Sequence, residues 1–254
     1  MRELERDSSS DTPACKRLAI VGRGRVGYAL ATAFGRAGYE IRGPLGRGAD
    51  GRDADAVVLC VPDGEIGAAS AGIAPGRLVG HCSGASGLGL LAPHEAFSLH
   101  PLMTVTAEGA DFAGAGAAIA GSTPRALAFT FELATALGMQ PVQIAEDERA
   151  AYHAGAAIAS NFLITLEAAA ERIAGSVGVE RELLVPLVRA TVENWARLGP
   201  ERALTGPVAR GDDATVARQR AAVADAAEDL LPLFDALVEA TRALAAATKE
   251  AQPA

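Results

Sequence analysis

The stretch that most restricts how this chain can fold is a glycine-rich hinge between an apolar run and a helix. Arg17 to Val21 (RLAIV) is short and apolar, as a strand buried on both faces should be. It runs directly into Gly22-Arg23-Gly24-Arg25-Val26-Gly27, after which Val26 to Arg36 reads as a helix stopped by Gly38. A buried strand that turns straight into a helix needs a second parallel strand beside it. The first third of the chain is therefore expected to build a parallel sheet.

The next segments supply the partners. Tyr39 to Arg42 reads as a second strand, and the following GPLGRGADGRD, rich in glycine, offers no strand signal. Ala56 to Val61 (AVVLCV) is the clearest strand, stopped by Pro62-Asp63. Arg77 to His81 and Ala96 to Leu99 follow, and Pro101 holds His100 extended. Ala115 to Ala120 and Pro141 to Ile144 are weaker strands around a helix at Pro124 to Leu137. From Glu146 onward the periodicity is helical only, over about 147–175, 181–198, 213–226 and 228–248. The expected architecture is α/β: an N-terminal Rossmann-type, mostly parallel sheet over residues 16–145, then an all-α domain over 146–254. Residues 1–15 read as a disordered lead-in without the apolar core of a signal peptide.

Charge narrows the partners. A formal net charge of −8 over 254 residues disfavours nucleic acid and acidic membrane surfaces. Lys16 and Lys249, both near the termini, are the lysines of the sequence, so a lysine acting inside the fold is not expected. Cys15, Cys60 and Cys82 form neither a disulfide framework nor a CxxC pair, which suits a reducing, cytoplasmic setting. Ala150 to Leu166 carries no Asp, Glu, Lys or Arg. It is too short to span a bilayer and reads as a helix buried on all sides. An apolar surface of that extent predicts a homodimer built through the helical domain.

The glycine spacing is that of a dinucleotide-binding turn. Gly22 permits the tight turn, Gly24 lets the pyrophosphate approach, and Gly27 lets helix pack on strand. Arg23, Arg25 and Val26 complete the loop, and the helix N-terminus offers amides to phosphate. Twenty residues past Gly22, where an acid would hold the ribose of NAD, stands Arg42. With no acid between Ile41 and Ala49, and with Arg23 and Arg47 nearby, NADP is expected over NAD. Val61, Pro62 and Asp63, ending the next strand, are expected along the same cofactor.

Ligands of open α/β sheets lie beyond the carboxyl ends of the strands. His81-Cys82-Ser83-Gly84 and Ser98-Leu99-His100-Pro101 end adjacent strands there, so two of the four histidines are candidates for moving a proton. His81, Cys82, His94 and His100 match no familiar metal spacing, and no metal is expected. On the following helix, His153, Ala157, Ser160 and Asn161 would share one face at 3.6 residues per turn. Arg210, in the loop Thr205 to Asp212, could grip a carboxylate, while Asp212 or Asp213 caps the next helix.

The segments GRGRVG, AVVLCVPD, GHCSGASG, AFSLHPLM, YHAGAAIASNF and LTGPVARGD together resemble bacterial Rossmann-like proteins whose C-terminal half is domain of unknown function 2520. The resemblance covers about residues 16 to 246. In organisation the chain is also similar to ketopantoate reductase, pyrroline-5-carboxylate reductase, prephenate dehydrogenase and the 6-phosphogluconate dehydrogenase-like enzymes. That similarity implies NAD(P)-dependent reduction of a small carbonyl or imine and a helical domain that dimerises. The helix lysine of some of these enzymes has no counterpart here. The serine and His-Pro histidine of prephenate dehydrogenases are matched by Ser83 and His100.

The expectation is an NADP-dependent oxidoreductase acting on a small, carboxylated oxo or imino compound. His100 would donate the proton and Ser83 polarise the substrate. Asn161 and His153 would orient it, His81 shape its pocket, and Arg210 bind its acid group. The alternatives are a non-catalytic NADP(H)-binding regulator and, more narrowly, a ketopantoate-type reductase.

Overall fold

The computed structural model describes residues 16–251, and the expected lead-in over residues 1–15 lies outside them. Strand β1 (Arg17–Val21) leads into helix α1 (Arg25–Arg36), and β2 (Glu40–Leu45) returns beside β1. Then come β3 (Ala56–Leu59), α2 (Ile66–Ala71), β4 (Leu78–His81) and β5 (Glu95–Leu102). A final block of β6 (Gly116–Gly121), α3 (Pro124–Ala136) and β7 (Gln140–Gln143) completes a seven-stranded sheet in the order β2-β1-β3-β4-β5-β6-β7. The first five strands are parallel, β6 is antiparallel to β5, and β7 is parallel to β6. This is a Rossmann-type sheet with one antiparallel seam.

Two apolar layers sandwich it, because strands buried on both faces must be covered on both. On one face Leu18, Ile20, Val58, Phe97 and Leu99 pack with Leu30 and Phe34 of α1 and Leu133 of α3. On the other, Ala19, Val57, Leu59 and Val79 pack with Ile66 at the start of α2, Ile73 and Leu91. Phe97 and Phe129 meet edge to face with centroids 5.3 Å apart.

The second strand runs further than its sequence suggests. Gly43-Pro44-Leu45 reads as a turn, yet β2 continues through it, with Val21 opposite Leu45 and a register shift between Ala19 and Val21. A sheet edge tolerates this, because a proline there removes a donor that no neighbouring strand needs. The opposite edge strand, β7, carries Pro141 in the same way.

Helix α4 (Arg149–Ala157) runs into a π-helical turn at Ile158–Phe162 and on into α5 (Leu163–Gly175). The chain separates into two compact units at Ser160/Asn161, later than the change of pattern at residue 146. The cause is chemical: α4 is bonded to the sheet through Arg149 to Ser98 and Tyr152 to His100. The second unit holds α5, α6 (Arg181–Leu198), α7 (Pro200–Ala203), α8 (Pro207–Arg210), α9 (Asp213–Ala227) and α10 (Leu231–Ala251). The short α7 and α8 occupy what the sequence presents as a loop. Asp212 caps α9 by accepting from the Thr215 amide at 3.0 Å. Bidentate pairs Arg172–Asp229 and Arg220–Asp235 tie helices of this unit together.

The helix expected to be buried on all sides is not. Ile158, Phe162 and Ile164 are 62%, 57% and 69% exposed, and α5 has no buried residue. Within its unit α5 packs against α9, which leaves Leu163 and Leu166 half-buried and the other face of this apolar length exposed. No described helix is long and apolar enough to cross a membrane.

Candidate active site

Backbone crowding assigns each loop glycine a different duty. Gly22 takes a left-handed φ of +124°, and a Cβ there would lie 2.1 Å from the Cys60 carbonyl oxygen. A Cβ on Gly27 would lie 2.0 Å from the Gly22 carbonyl oxygen. A Cβ on Gly24 would meet nothing within 4 Å, so this glycine faces open space. Gly24 is also the N-cap of α1 and has no side chain to satisfy the first-turn amides.

The open space is a cavity of about 490 Å³ lined by Gly22, Arg23, Gly24, Arg47, Val61 and Pro62, among others. Arg47 crosses its mouth to Glu65, with one guanidinium nitrogen 3.0 Å from each carboxylate oxygen. A glycine cradle, free helix amides and two arginines fit the phosphates of a dinucleotide. Arg42 is not part of this wall. It sits inside β2, opposite Ala19, and pairs with Glu40 at 2.6 Å. Because β2 runs on to Leu45, a count of twenty residues from Gly22 ends mid-strand, and Arg47 stands where the strand stops. Arg25 lines a separate cavity with Tyr28 and Arg36, and Val26 packs against the core.

The second cluster lies at the ends of β4 and β5. His81 is fully buried and both ring nitrogens meet main chain: Nδ1 accepts from the Ser83 amide at 3.2 Å, and Nε2 faces the Gly87 carbonyl at 3.3 Å. That pattern defines a neutral Nε2–H imidazole, and burial pushes its pKa down. The ring therefore staples the loop 82–87 and has no nitrogen left for a substrate, contrary to the sequence expectation.

Ser83 is similarly occupied. Its hydroxyl donates to Asp63 at 2.7 Å and accepts from the amides of Ala85 and Ser86 at 3.2 and 2.9 Å. One donor and two lone pairs are thus used, and polarising a substrate would require breaking this set. Asp63 correspondingly faces the loop. Cys60 and Cys82 end adjacent strands with sulfurs 3.8 Å apart. The contact with Cys82 and then burial raise the Cys60 thiol well above its ordinary range.

His100 is different. Its Nδ1 lies 2.7 Å from the Tyr152 hydroxyl, and no described residue hydrogen-bonds Nε2. The two rings meet nearly edge to face at 5.6 Å, and His153 stands 6.3 Å away on the same helix as Tyr152. Gly84 makes this possible, since a Cβ there would fall 2.9 Å from His100 Cε1 and 3.0 Å from His153 Cδ2. Burial first, then the neighbouring His153, lowers the His100 pKa to about 4. Beneath the cluster Arg149, 4% exposed, donates to Ser98 Oγ at 2.6 Å, while its Nε lies 3.4 Å from Glu146 and has no hydrogen bond.

The structure thus brings His100, His153, Ser83, Asp63 and His81 together in the first unit. Asn161 and Arg210 belong to the second. Ser160 and Asn161 lie in the π-helical turn, so the 3.6-residue spacing that aligned them with His153 does not hold there. Sequence reasoning passed over Tyr152 and Arg149. The signal for both was a helical one: Arg149, Tyr152 and His153 fall within one turn of each other, just N-terminal to an apolar run. No described group of three or more His, Cys, Asp or Glu could hold a metal ion.

Solved structures share this architecture. A Bacteroides fragilis protein described as an NADP oxidoreductase matches with a TM-score of 0.76 at 19% identity, over 89% of this chain and 98% of that one. A Thermotoga maritima protein gives 0.72 at 24% identity, over 91% and 99%. An imine reductase from Streptomyces aurantiacus gives 0.64 at 15% identity, over 91% and 95%. At such identities the likeness establishes the fold. No curated protein matches the sequence. The family profile described as Domain of unknown function (DUF2520) matches residues 115–241, half of the chain, and the chain belongs to that family.

Proposed function

We propose that the protein is an NADP-dependent oxidoreductase that reduces a small, carboxylated oxo or imino compound. The observation that carries this reading is the pairing of two features on one sheet: an open glycine cradle at the end of β1 and a partly buried histidine with an unbonded nitrogen on β5. The names of the structural neighbours, an NADP oxidoreductase and an imine reductase, support it. A reduced nicotinamide, when bound, supplies hydride to the substrate carbon.

The chain's own residues supply the rest. Arg23 and Arg47 bind phosphate, with Arg47 released from Glu65 as it does so. The stapled loop 82–87 keeps His100 packed between Gly84 and α4. His100 meets the substrate through Nε2 and gives it a proton. Arg210, at the end of α8 and close enough to Asp212 to lower its pKa, is the side chain proposed to bind the acid group. The helical unit, with Phe162, Ile164, Leu187 and Trp195 more than half exposed, pairs with a second copy.

The test is a panel of 2-oxo acids and cyclic imino acids assayed for NADPH oxidation by purified protein. Turnover of one or more is expected, with His100→Ala lowering kcat by about 10²-fold and leaving NADPH affinity unchanged. Tight NADPH binding with no turnover across the panel would mark a nucleotide-binding regulator instead.

A further inference from the structure

We infer that Tyr152 is a positioning residue that fixes the tautomer of His100 and replaces the proton His100 gives away. This rests on the reductase reading above.

The geometry favours one arrangement of hydrogens. Tyr152 Oη and His100 Nδ1 are 2.7 Å apart, and one of them must donate. Among the described residues the phenol has no other acceptor, so it donates to Nδ1 and the ring proton resides on Nε2. Burial raises the Tyr152 pKa, which keeps the phenol protonated. The free edge of the imidazole then presents N–H rather than a lone pair. A ring that must give up a proton is set by its neighbour to hold one at the correct nitrogen.

The charged surroundings say why a second proton is needed. Facing His100 are His153, Tyr152 and Arg149 from α4, His81 from β4, and Asp63 from the turn after β3. Asp63 favours an imidazolium, whereas His153, Arg149, His81 and burial oppose it and prevail. Near neutral pH the ring is uncharged, so an imidazolium is not the acid. A neutral imidazole that lost its Nε2 proton alone would become an imidazolate in a partly buried site, a costly anion.

The 2.7 Å hydrogen bond removes that difficulty. As the substrate carbon takes hydride, its oxygen or nitrogen takes the proton from Nε2. The Tyr152 O–H bond breaks and an Nδ1–H bond forms. The products are the alcohol or amine, the oxidised nicotinamide, a neutral Nδ1–H imidazole and a phenolate. Arg149, buried nearby and acting to lower the Tyr152 pKa, stabilises that phenolate. Nε2 then takes a proton from water, the hydroxide left behind is neutralised by solvent, and Nδ1 returns its proton to Tyr152. Each turnover thus consumes one hydride from the nicotinamide and one proton from solvent, and the side chains end as they began.

Two measurements test this. In the first, ¹⁵N-histidine-labelled protein, without coenzyme or substrate, is examined by NMR at pH 7. The His100 ring is expected as the Nε2–H tautomer, drifting to a mixture in Tyr152→Phe. An imidazolium, or the Nδ1–H tautomer, would overturn the inference. In the second, kcat is followed from pH 5 to 9. The unaltered protein should show a level profile from pH 6 to 9. Tyr152→Phe should lose about 10²-fold at pH 8 and recover toward pH 5, where an imidazolium begins to form. Unchanged turnover, or an equal loss at every pH, would reduce Tyr152 to a packing residue. Failure of the unaltered protein to oxidise NADPH with any oxo or imino acid would remove the reaction the relay serves, whatever the tautomer.

Discussion

Ser83 Oγ donates to the Asp63 carboxylate across 2.7 Å, joining the turn after β3 to the loop after β4. The same oxygen accepts two amides of its own loop, at Ala85 and Ser86. Ser83→Ala therefore strips three bonds from a partly buried loop. A loss of about 1–3 kcal/mol in stability is expected, measured by urea unfolding. Asp63→Asn keeps shape and one acceptor, so it should cost less.

The loop glycines separate folding from binding. Gly24→Ala should fold with stability within about 0.5 kcal/mol of the parent, because its Cβ meets no protein atom. It should weaken NADPH binding at least tenfold by calorimetry, since the methyl enters the space the phosphates need. Gly22→Ala must push against the Cys60 carbonyl and should fail at the folding stage. Equal NADPH affinity for Gly24→Ala and the parent would remove the cradle from the site.

Coenzyme choice should follow the cavity wall. NADP is expected to bind tighter than NAD by roughly 1–3 kcal/mol, with Arg47→Ala or Arg23→Ala erasing most of the difference. Arg42→Ala should leave it intact, because that side chain pairs with Glu40 inside β2. Glu65→Gln should raise NADP affinity by freeing Arg47. Tighter binding of NAD than NADP would contradict all of this.

These contrasts mark what the sequence could and could not disclose. RLAIV, the glycine turn and AVVL were legible because burial on both faces leaves an unbroken apolar run. Helix α6 ended where Gly199 follows Leu198, a local signal for the chain to turn. The extension of β2 through Gly43-Pro44 was hidden, since an edge strand may break local rules that a central one cannot. Two side chains in the candidate site were hidden for another reason. Their helical spacing with His153 was a local hint, but Tyr152 and Arg149 matter through residues 52 and 51 positions away, and local spacing does not name those partners.

Acid should loosen the first unit before its carboxylates titrate. His100 is lowered from 6.5 to about 4, so as pH falls the unfolded chain takes up this proton well before the native one. The stability gained by burying a neutral ring is fully present above pH 6.5 and disappears toward pH 4. At pH 5 the loss amounts to about 2 kcal/mol, and His81, shifted the same way, adds to it. Denaturant titrations at pH 7.5 and 5.0 should show this loss, and His100→Gln should shrink it. An unchanged pH dependence in that variant would show that His100 carries little of it.

Assembly can be read through the single tryptophan of the chain, Trp195, which is 58% exposed in one copy. Light scattering at micromolar concentration should report a dimer, and tryptophan emission should shift to longer wavelength on dilution. Leu187→Glu on α6 should yield monomers with unaltered helicity. A monomer at micromolar concentration in the parent would leave the apolar helices without this partner.

The two prolines at the sheet's margins bear on how copies of this chain avoid harming one another. Pro44 in β2 and Pro141 in β7 each delete a donor from the outer rim of the seven strands. A newly made sheet, still without its helices, thus offers an interrupted ladder on both margins, and a neighbouring copy cannot zip onto it to start a fibre. Crowded folding intermediates are thereby steered away from edge-to-edge β-aggregation.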